Sequence, residues 1–181
     1  MNKLLVLGIG NMLLTDDGVG VFASQELMKE DWPEQVTIRE GGTFTQDIFY
    51  SFKGYSHLLV LDVVHCGGKP GTLYRLTEDA LSKDDKQRLS IHDIDLIDSL
   101  RMAEKLFGTK SELLVLGVEP KDYVTWNIGL SDDVQAVFPE FLALARKEIG
   151  EWLKRYGNGE TRACFQLIYI LHISAMELPS L

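Results

Sequence analysis

Short apolar runs alternate along this chain with longer segments in which apolar residues recur every three or four positions. The apolar runs predict β-strands at residues 3–8, 36–40, 57–63 and 112–118, and the periodic segments predict helices at residues 18–30, 44–53, 91–107 and 132–156. Three of these strands (KLLVLG, HLLVLDV and ELLVLGV) are almost continuously apolar. We therefore expect them at the centre of a parallel sheet, with helices covering both faces.

A fifth, short strand is predicted where the alternation of strands and helices breaks. Residues 71–76 (GTLYRL) follow a Gly-Gly-Lys-Pro turn and are expected to form an edge strand. The whole pattern predicts an α/β fold. It comprises a single three-layer domain over residues 1–156, in which helices lie on both faces of a mostly parallel sheet. Residues 157–181 are predicted to be a C-terminal extension of unknown role.

The predicted extension contains a mostly apolar run at residues 163–173. This run is shorter than the roughly 20 residues that a helix needs to cross a bilayer, so no membrane span is predicted. Core packing, an oligomer contact and a dispensable tail are the alternatives for this segment, with a membrane role as the less favoured one.

Composition narrows the classes of partner. The chain has 181 residues, of which 45% are hydrophobic and 25% charged, as is typical of one globular domain. Its formal net charge of −9 argues against a nucleic-acid partner, because phosphates would be repelled. The two cysteines, Cys66 and Cys164, lack zinc-site spacing, and the first residues run directly into a predicted strand without an export signal. We therefore expect a cytoplasmic protein.

The segment GIGNMLLTDDGVG, residues 8–20, follows the first predicted strand and is partly similar to a nucleotide-binding loop. Gly8 and Gly10 suit the close approach of a pyrophosphate, but Leu13 stands where a third glycine is expected. Asp16 and Asp17 would also repel a phosphate. The paired aspartates therefore favour a cation, and a dinucleotide-binding oxidoreductase is the less favoured alternative.

A second acidic position lies at the end of another central strand. Asp62 ends the run LLVLD, and in the sheet order 2-1-3-4 the first and third strands are neighbours whose carboxyl ends border a ligand-binding crevice. We therefore predict that Asp17 and Asp62 face one crevice. The structural alternatives are that Asp16 or Asp17 caps the helix near residue 18, and that Asp62 binds a neighbouring backbone amide.

His92 is the predicted third member of this group. Ser90 and Asp93 have the spacing of a capping box, which places His92 in the first turn of the helix at residues 91–107. The positive end of a helix favours neutral imidazole, the form that binds metals. Two carboxylates and an imidazole suit a divalent transition metal with open coordination positions. His65, three residues after Asp62, is a reserve ligand.

Four motifs carry a family resemblance: GIGNMLLTDDGVG, LLVLDVVH, LSIHDIDLIDSL and LLVLGVEPKD. In this order and spacing they resemble the hydrogenase maturation proteases, the endopeptidases that process the large subunit of nickel-iron hydrogenases, over roughly residues 3–155. The resemblance implies a phosphorylase/hydrolase-like, hydrogenase-maturase fold with a twisted five-stranded sheet between helices. It places the metal-contacting residues of the family at Asp17, Asp62 and His92, with Asp17 where relatives often have Glu.

The resemblance also implies a reaction and a partner. The reaction is removal of a C-terminal extension from a nickel-iron hydrogenase large-subunit precursor after nickel insertion, with the nickel supplied by the substrate protein and another divalent cation as an alternative in vitro. Asp17 and Asp62 are the expected catalytic acids, and Asp16 is the reserve general base. An aspartic-type and a metal-dependent mechanism both remain open. Glu119, in the fourth motif, either lines the crevice or is structural, and a non-catalytic nickel-handling or assembly protein is the alternative function.

Overall fold

The structure is a computed structural model that describes residues 2–43, 46–82, 91–108 and 110–157; the side chains of residues 46–47, 82 and 91–95 are outside this description. The chain divides into two compact units, residues 1–145 and 146–181, which are described separately. The first unit contains a five-stranded sheet.

The strands are β1 (Leu4–Ile9), β2 (Val36–Gly42), β3 (His57–Val63), β4 (Leu73–Thr77) and β5 (Glu112–Val118). Their order across the sheet is β2-β1-β3-β5-β4, with β4 antiparallel to β5 and every other pair parallel. The predicted central strands β1, β3 and β5 are confirmed, since nearly all their residues are buried. The predicted edge strand is also confirmed.

The α-helices are α1 (Val19–Leu27), α2 (Glu78–Ser82), α3 (Ile91–Phe107) and α4 (Asp132–Tyr156). Two further segments, Thr15–Gly18 and Gln46–Phe52, are 3-10 helices. The α-helix predicted at residues 44–53 is therefore wrong in type. Segments this short gain little from helix propensity, and the packing of their side chains decides their form. Neither α2 nor the 3-10 helix Thr15–Gly18 was predicted.

Helices cover both faces of the sheet in the first unit, as the three-layer prediction requires. On one face, apolar residues of β1, β3 and β5 form one buried cluster with residues of α3 and the second 3-10 helix; they include Leu5, Leu7, Leu58, Val60, Val115, Phe52, Leu96 and Leu100. On the other face α1 packs on β1 and β3. The carboxyl ends of the parallel strands β1 and β3 thus lie next to the first turn of α1.

The second unit is described only for residues 146–157, which include the end of α4. There Trp152 is buried, and its ring centroid lies 5.7 Å from that of Tyr156. The apolar run at residues 163–173 lies outside the described residues. Among the helices that the structure describes, none combines the length and the apolar character that crossing a membrane requires.

Candidate active site

The candidate site lies at the carboxyl ends of the neighbouring strands β1 and β3. Their pairing runs from Leu4 opposite His57 to Gly8 opposite Leu61. Asp62 is the next residue of β3, and the chain leaving β1 turns into the loop that carries Asp17. Asp62 thus lies in β3 one residue beyond this pairing, and Asp17 lies in the 3-10 helix Thr15–Gly18 that follows β1. The predicted order, in which β1 and β3 are neighbours, is confirmed.

Two glycines allow the loop to fold back over these strand ends. Gly10 has a φ of 130°, a left-handed conformation that favours glycine, and a Cβ at this position would collide with the carbonyl oxygen of Asp17. A Cβ at Gly20 would collide with the carbonyl oxygen of Leu61. These backbone contacts bring the loop with Asp17 and the first turn of α1 directly onto the end of β3, beside Asp62.

Asp17 is partly exposed, and its Oδ2 accepts a hydrogen bond of 2.8 Å from the backbone amide of Asn11. This bond holds the carboxylate within its own loop. The N-cap of α1 is Gly18, and no side chain bonds to that cap. The suggestion that Asp16 or Asp17 caps this helix is therefore wrong, because both carboxylates bond elsewhere.

Asp62 is almost fully buried, with 1% of its surface exposed. Its Oδ1 accepts a hydrogen bond of 2.8 Å from the amide of Val63. The predicted structural alternative, a bond to a neighbouring amide, is thus present. It is compatible with a ligand role, because an ionised carboxylate offers about four lone-pair positions. On β5 its partner is Gly117, which places no side chain over it.

Asp16 has different surroundings from Asp17, although the two are adjacent. It is fully buried, and its carboxylate accepts four hydrogen bonds of 2.7–3.0 Å: from the amides of Lys121, Asp122 and Ser131 and from the Ser131 hydroxyl. Three of these donors bond to Oδ2 and one to Oδ1, and burial keeps the carboxylate away from solvent. A general base needs a lone pair directed at the reacting water. The geometry of Asp16 therefore favours a structural role, which ties residues 120–131 to the loop of Asp17.

Glu119 forms a second carboxylate anchor. It is buried, and it accepts hydrogen bonds from the amides of Cys66, Gly67 and Gly68, at 2.9–3.3 Å, and from the Tyr74 hydroxyl at 2.9 Å. Burial, and then the bond to Glu119, raise the pKa of Tyr74 to about 12. Of the two alternatives for Glu119, this geometry favours the structural one.

The two histidines differ in what the structure describes. The His65 ring is partly buried, and it packs edge-on against Tyr123 with centroids 4.4 Å apart. His92 is the second residue of α3, but its side chain lies outside the described residues, as does Ser90 of the predicted capping box. Within the described part of the chain, no three His, Cys, Asp or Glu side chains form a metal site. The predicted metal-binding set of Asp17, Asp62 and His92 includes the His92 side chain, which lies outside the described residues.

Sequence patterns missed the residues that hold the site in place. Ser131 and Tyr74 each donate a side-chain hydroxyl to a buried carboxylate, Asp16 and Glu119 respectively. Neither lies in a motif, and their partners are 115 and 45 residues away. The position of Glu119, directly after a buried strand, was the one available signal.

Comparison with known proteins identifies the class that this fold and these strand-end acids define. A family model described as hydrogenase maturation protease matches residues 21–148. The chain is 32% identical to the hydrogenase expression/formation protein HupM of Azotobacter chroococcum over 172 residues, or 91% of this chain and 82% of the relative. It is 30% identical to the hydrogenase 2 maturation protease of Escherichia coli over 137 residues, or 75% and 83%.

A solved structure agrees with this class. The hydrogenase maturating endopeptidase HybD from Escherichia coli superimposes with a TM-score of 0.70 at 27% identity, over 86% of this chain and 94% of that one. The chain belongs to the hydrogenase maturation protease family. It is accordingly a hydrolase of the endopeptidase class, and the dinucleotide-binding alternative is set aside.

Proposed function

We propose that this endopeptidase removes a C-terminal extension from the large-subunit precursor of a nickel-iron hydrogenase, after nickel has been inserted. The observation that supports the proposal is that Asp62 lies at the carboxyl end of β3, while the loop that carries Asp17 leaves the neighbouring strand β1 and is followed by Gly20, which packs against the carbonyl oxygen of Leu61. Ligands of open α/β sheets bind at this edge. Family membership supplies the class of reaction.

In this proposal Asp17, Asp62 and His92 contact the nickel that the precursor already holds. Two carboxylates and one imidazole leave open coordination positions, which the precursor's own ligands fill. In this proposal the ion belongs to the substrate, and the enzyme detects whether the precursor is loaded.

The chemistry requires a nucleophilic water and a polarised peptide carbonyl. A carboxylate at the strand ends would act as the base, or the precursor's nickel would supply Lewis-acid chemistry that makes water more nucleophilic and the carbonyl more electrophilic. Asp17 and Asp62 are the acids proposed for this step. Asp16 is assigned to holding the loop, because it is fully buried and accepts bonds from four donors.

The test is to incubate the purified protein with nickel-loaded and nickel-free precursor and to measure product mass. We expect the loaded precursor to lose a C-terminal peptide and the nickel-free precursor to stay intact. Equal cleavage of both would remove nickel recognition from the proposal. Binding of the loaded precursor without any smaller product would instead support the alternative of a non-catalytic assembly protein.

A further inference from the structure

An exposed apolar surface adjoins the candidate site. Five of the nine exposed large hydrophobic residues in the described part of the chain belong to two segments that are bonded together: Leu13, Tyr123, Val124, Trp126 and Ile128. We call these five residues the apolar patch. Trp126 is 78% exposed and Ile128 is 72% exposed. Clusters of this kind on a protein surface mark interaction sites, because exposed apolar area is unfavourable in water.

The patch is built on a fixed backbone. The amide of Thr15 donates to the carbonyl of Asn127, and the amide of Asn127 donates to the carbonyl of Leu13, both at 3.0 Å. The Thr15 hydroxyl adds a bond of 2.9 Å to the carbonyl of Thr125. Asp16 secures the same segment through its four bonds. Trp126 and Ile128, which flank Asn127, are therefore exposed on a loop whose backbone is held by hydrogen bonds.

Two links connect the patch to the strand-end acids. Leu13 lies four residues before Asp17 in the same loop. The ring of Tyr123 packs on the ring of His65, which lies three residues after Asp62. A polypeptide that places a peptide bond at the acids thus lies beside the patch.

Charge indicates the chemistry of the occupant. The chain carries a net charge of −9, but the segment YVTWNIGLS, residues 123–131, contains no charged residue. An uncharged apolar surface selects an uncharged apolar partner, since charged groups would lose hydration without gaining a counter-charge. Trp and Tyr are also the residues that contribute most often to binding hot spots.

We infer that the apolar patch docks an apolar, uncharged segment of the precursor polypeptide next to its scissile bond. The inference rests on the proposed function and adds a recognition surface to it. The patch acts on binding of the substrate and takes no part in the chemical step. Its removal should therefore raise KM and leave kcat unchanged.

The experiment compares the wild-type protein with the double variant Trp126→Ala/Ile128→Ala on nickel-loaded precursor. Leu106→Ala is the matched control, since Leu106 is an exposed apolar residue on α3 outside the patch. We expect the double variant to raise KM at least about 10-fold, with kcat within about 2-fold of wild type and an unchanged melting temperature. The control should behave as wild type.

A wild-type KM in the double variant would overturn the docking inference and leave the proposed function intact. Analytical sedimentation of each protein alone measures its oligomeric state and tests whether the patch binds a second copy of this chain instead. If the double variant loses a wild-type dimer while keeping its KM, the patch binds another copy of this chain and the inference is wrong. Failure of the wild-type protein to cleave any precursor would overturn the proposed function, and the docking inference with it.

Discussion

Asp16 and Asp17 are neighbours in the chain, yet their carboxylates belong to two regions that differ in what surrounds them. In the anchor region, Asp16 is fully buried and accepts four hydrogen bonds from residues 121, 122 and 131. In the strand-end region, Asp62 lies at the end of β3, and Asp17, which is partly exposed, lies in the 3-10 helix Thr15–Gly18 that follows β1. The bonds of Asp16 suit a carboxylate that holds a loop in place, whereas Asp17 and Asp62 are the acids proposed to contact a ligand.

Removal of a strand-end carboxylate should have the largest effect. Asp17→Asn and Asp62→Asn keep the side-chain shape but remove the charge needed by a base or a metal ligand, so precursor cleavage should fall at least about 100-fold. Cleavage is measured by mass spectrometry, and circular dichroism serves as the check on folding. A variant that folds and cleaves at the wild-type rate would show that its residue does not belong to the site.

Removal of the buried anchor should mainly affect stability. Asp16→Ala leaves three amides and a hydroxyl without their acceptor, and the free energy of unfolding should drop by about 3 kcal/mol. For a chain of this length this corresponds to a melting temperature lower by roughly 6 to 12 °C. Thermal unfolding followed by circular dichroism measures the change, and an unaltered melting temperature would contradict the anchor role.

The second anchor should give a smaller loss. Glu119→Gln keeps an acceptor oxygen but removes the charge that attracts three amides and the Tyr74 hydroxyl, so the free energy of unfolding should fall by about 1–2 kcal/mol. Urea unfolding provides the measurement. A midpoint equal to that of the wild type would mean that the loop at residues 66–68 does not depend on this carboxylate.

The hydrogen bond between Tyr74 and Glu119 should make the stability of the folded protein depend on pH. Its folded pKa, about 12, lies above the ordinary value of 10.0, so its protonated form is favoured in the folded state. The associated stability is fully present below pH 10 and is lost as pH rises from 10 towards 12. In Glu119→Gln the pKa should fall but stay above 10, because burial is its first cause. The difference in tyrosinate absorbance between each protein and its Tyr74→Phe derivative measures it; an ordinary pKa in the wild type would contradict the assignment.

The smallest effect is expected at an exposed ion pair beside the anchor. Lys121 Nζ lies 2.5 Å from Asp133 Oδ2, and both side chains are well exposed. Lys121 lowers the pKa of Asp133, so any contribution is present at neutral pH and is lost as pH falls through the lowered pKa. Because water screens such pairs, Asp133→Asn should leave the melting temperature at pH 7 within about 1 °C of wild type. A loss as large as that of Asp16→Ala would remove the distinction between buried and exposed carboxylates.

Much of the fold followed from the sequence because its signals are local. Continuous apolar runs located β1, β3 and β5, and the alternation of strands and helices placed Asp17 and Asp62 at one edge. The 3-10 helix Gln46–Phe52 was predicted as an α-helix, because the spacing of its apolar residues does not distinguish the two forms in a short segment.

The anchors could not be predicted in the same way. Asp16 bonds to groups 105 to 115 residues away, and most of its donors are backbone amides, which every residue except proline carries. The position of Asp16 beside the start of a helix therefore suggested that it caps the helix. Its actual partners lie in the segment 120–131, and the sequence does not show that this segment packs against the loop of Asp16. Sequence patterns singled out the acids, and the tertiary structure shows that the hydrogen-bond partners of Asp16 and Asp17 differ.

The central claim is that the strand-end acids contact nickel held by the precursor. Nickel-edge X-ray absorption of loaded precursor, freeze-quenched with the wild-type protein, tests it directly. The account predicts that nickel gains oxygen or nitrogen ligands on mixing, and that this gain is reduced with Asp17→Asn or Asp62→Asn. A nickel spectrum that is identical with and without the wild-type protein, under conditions in which the precursor is bound, would contradict it.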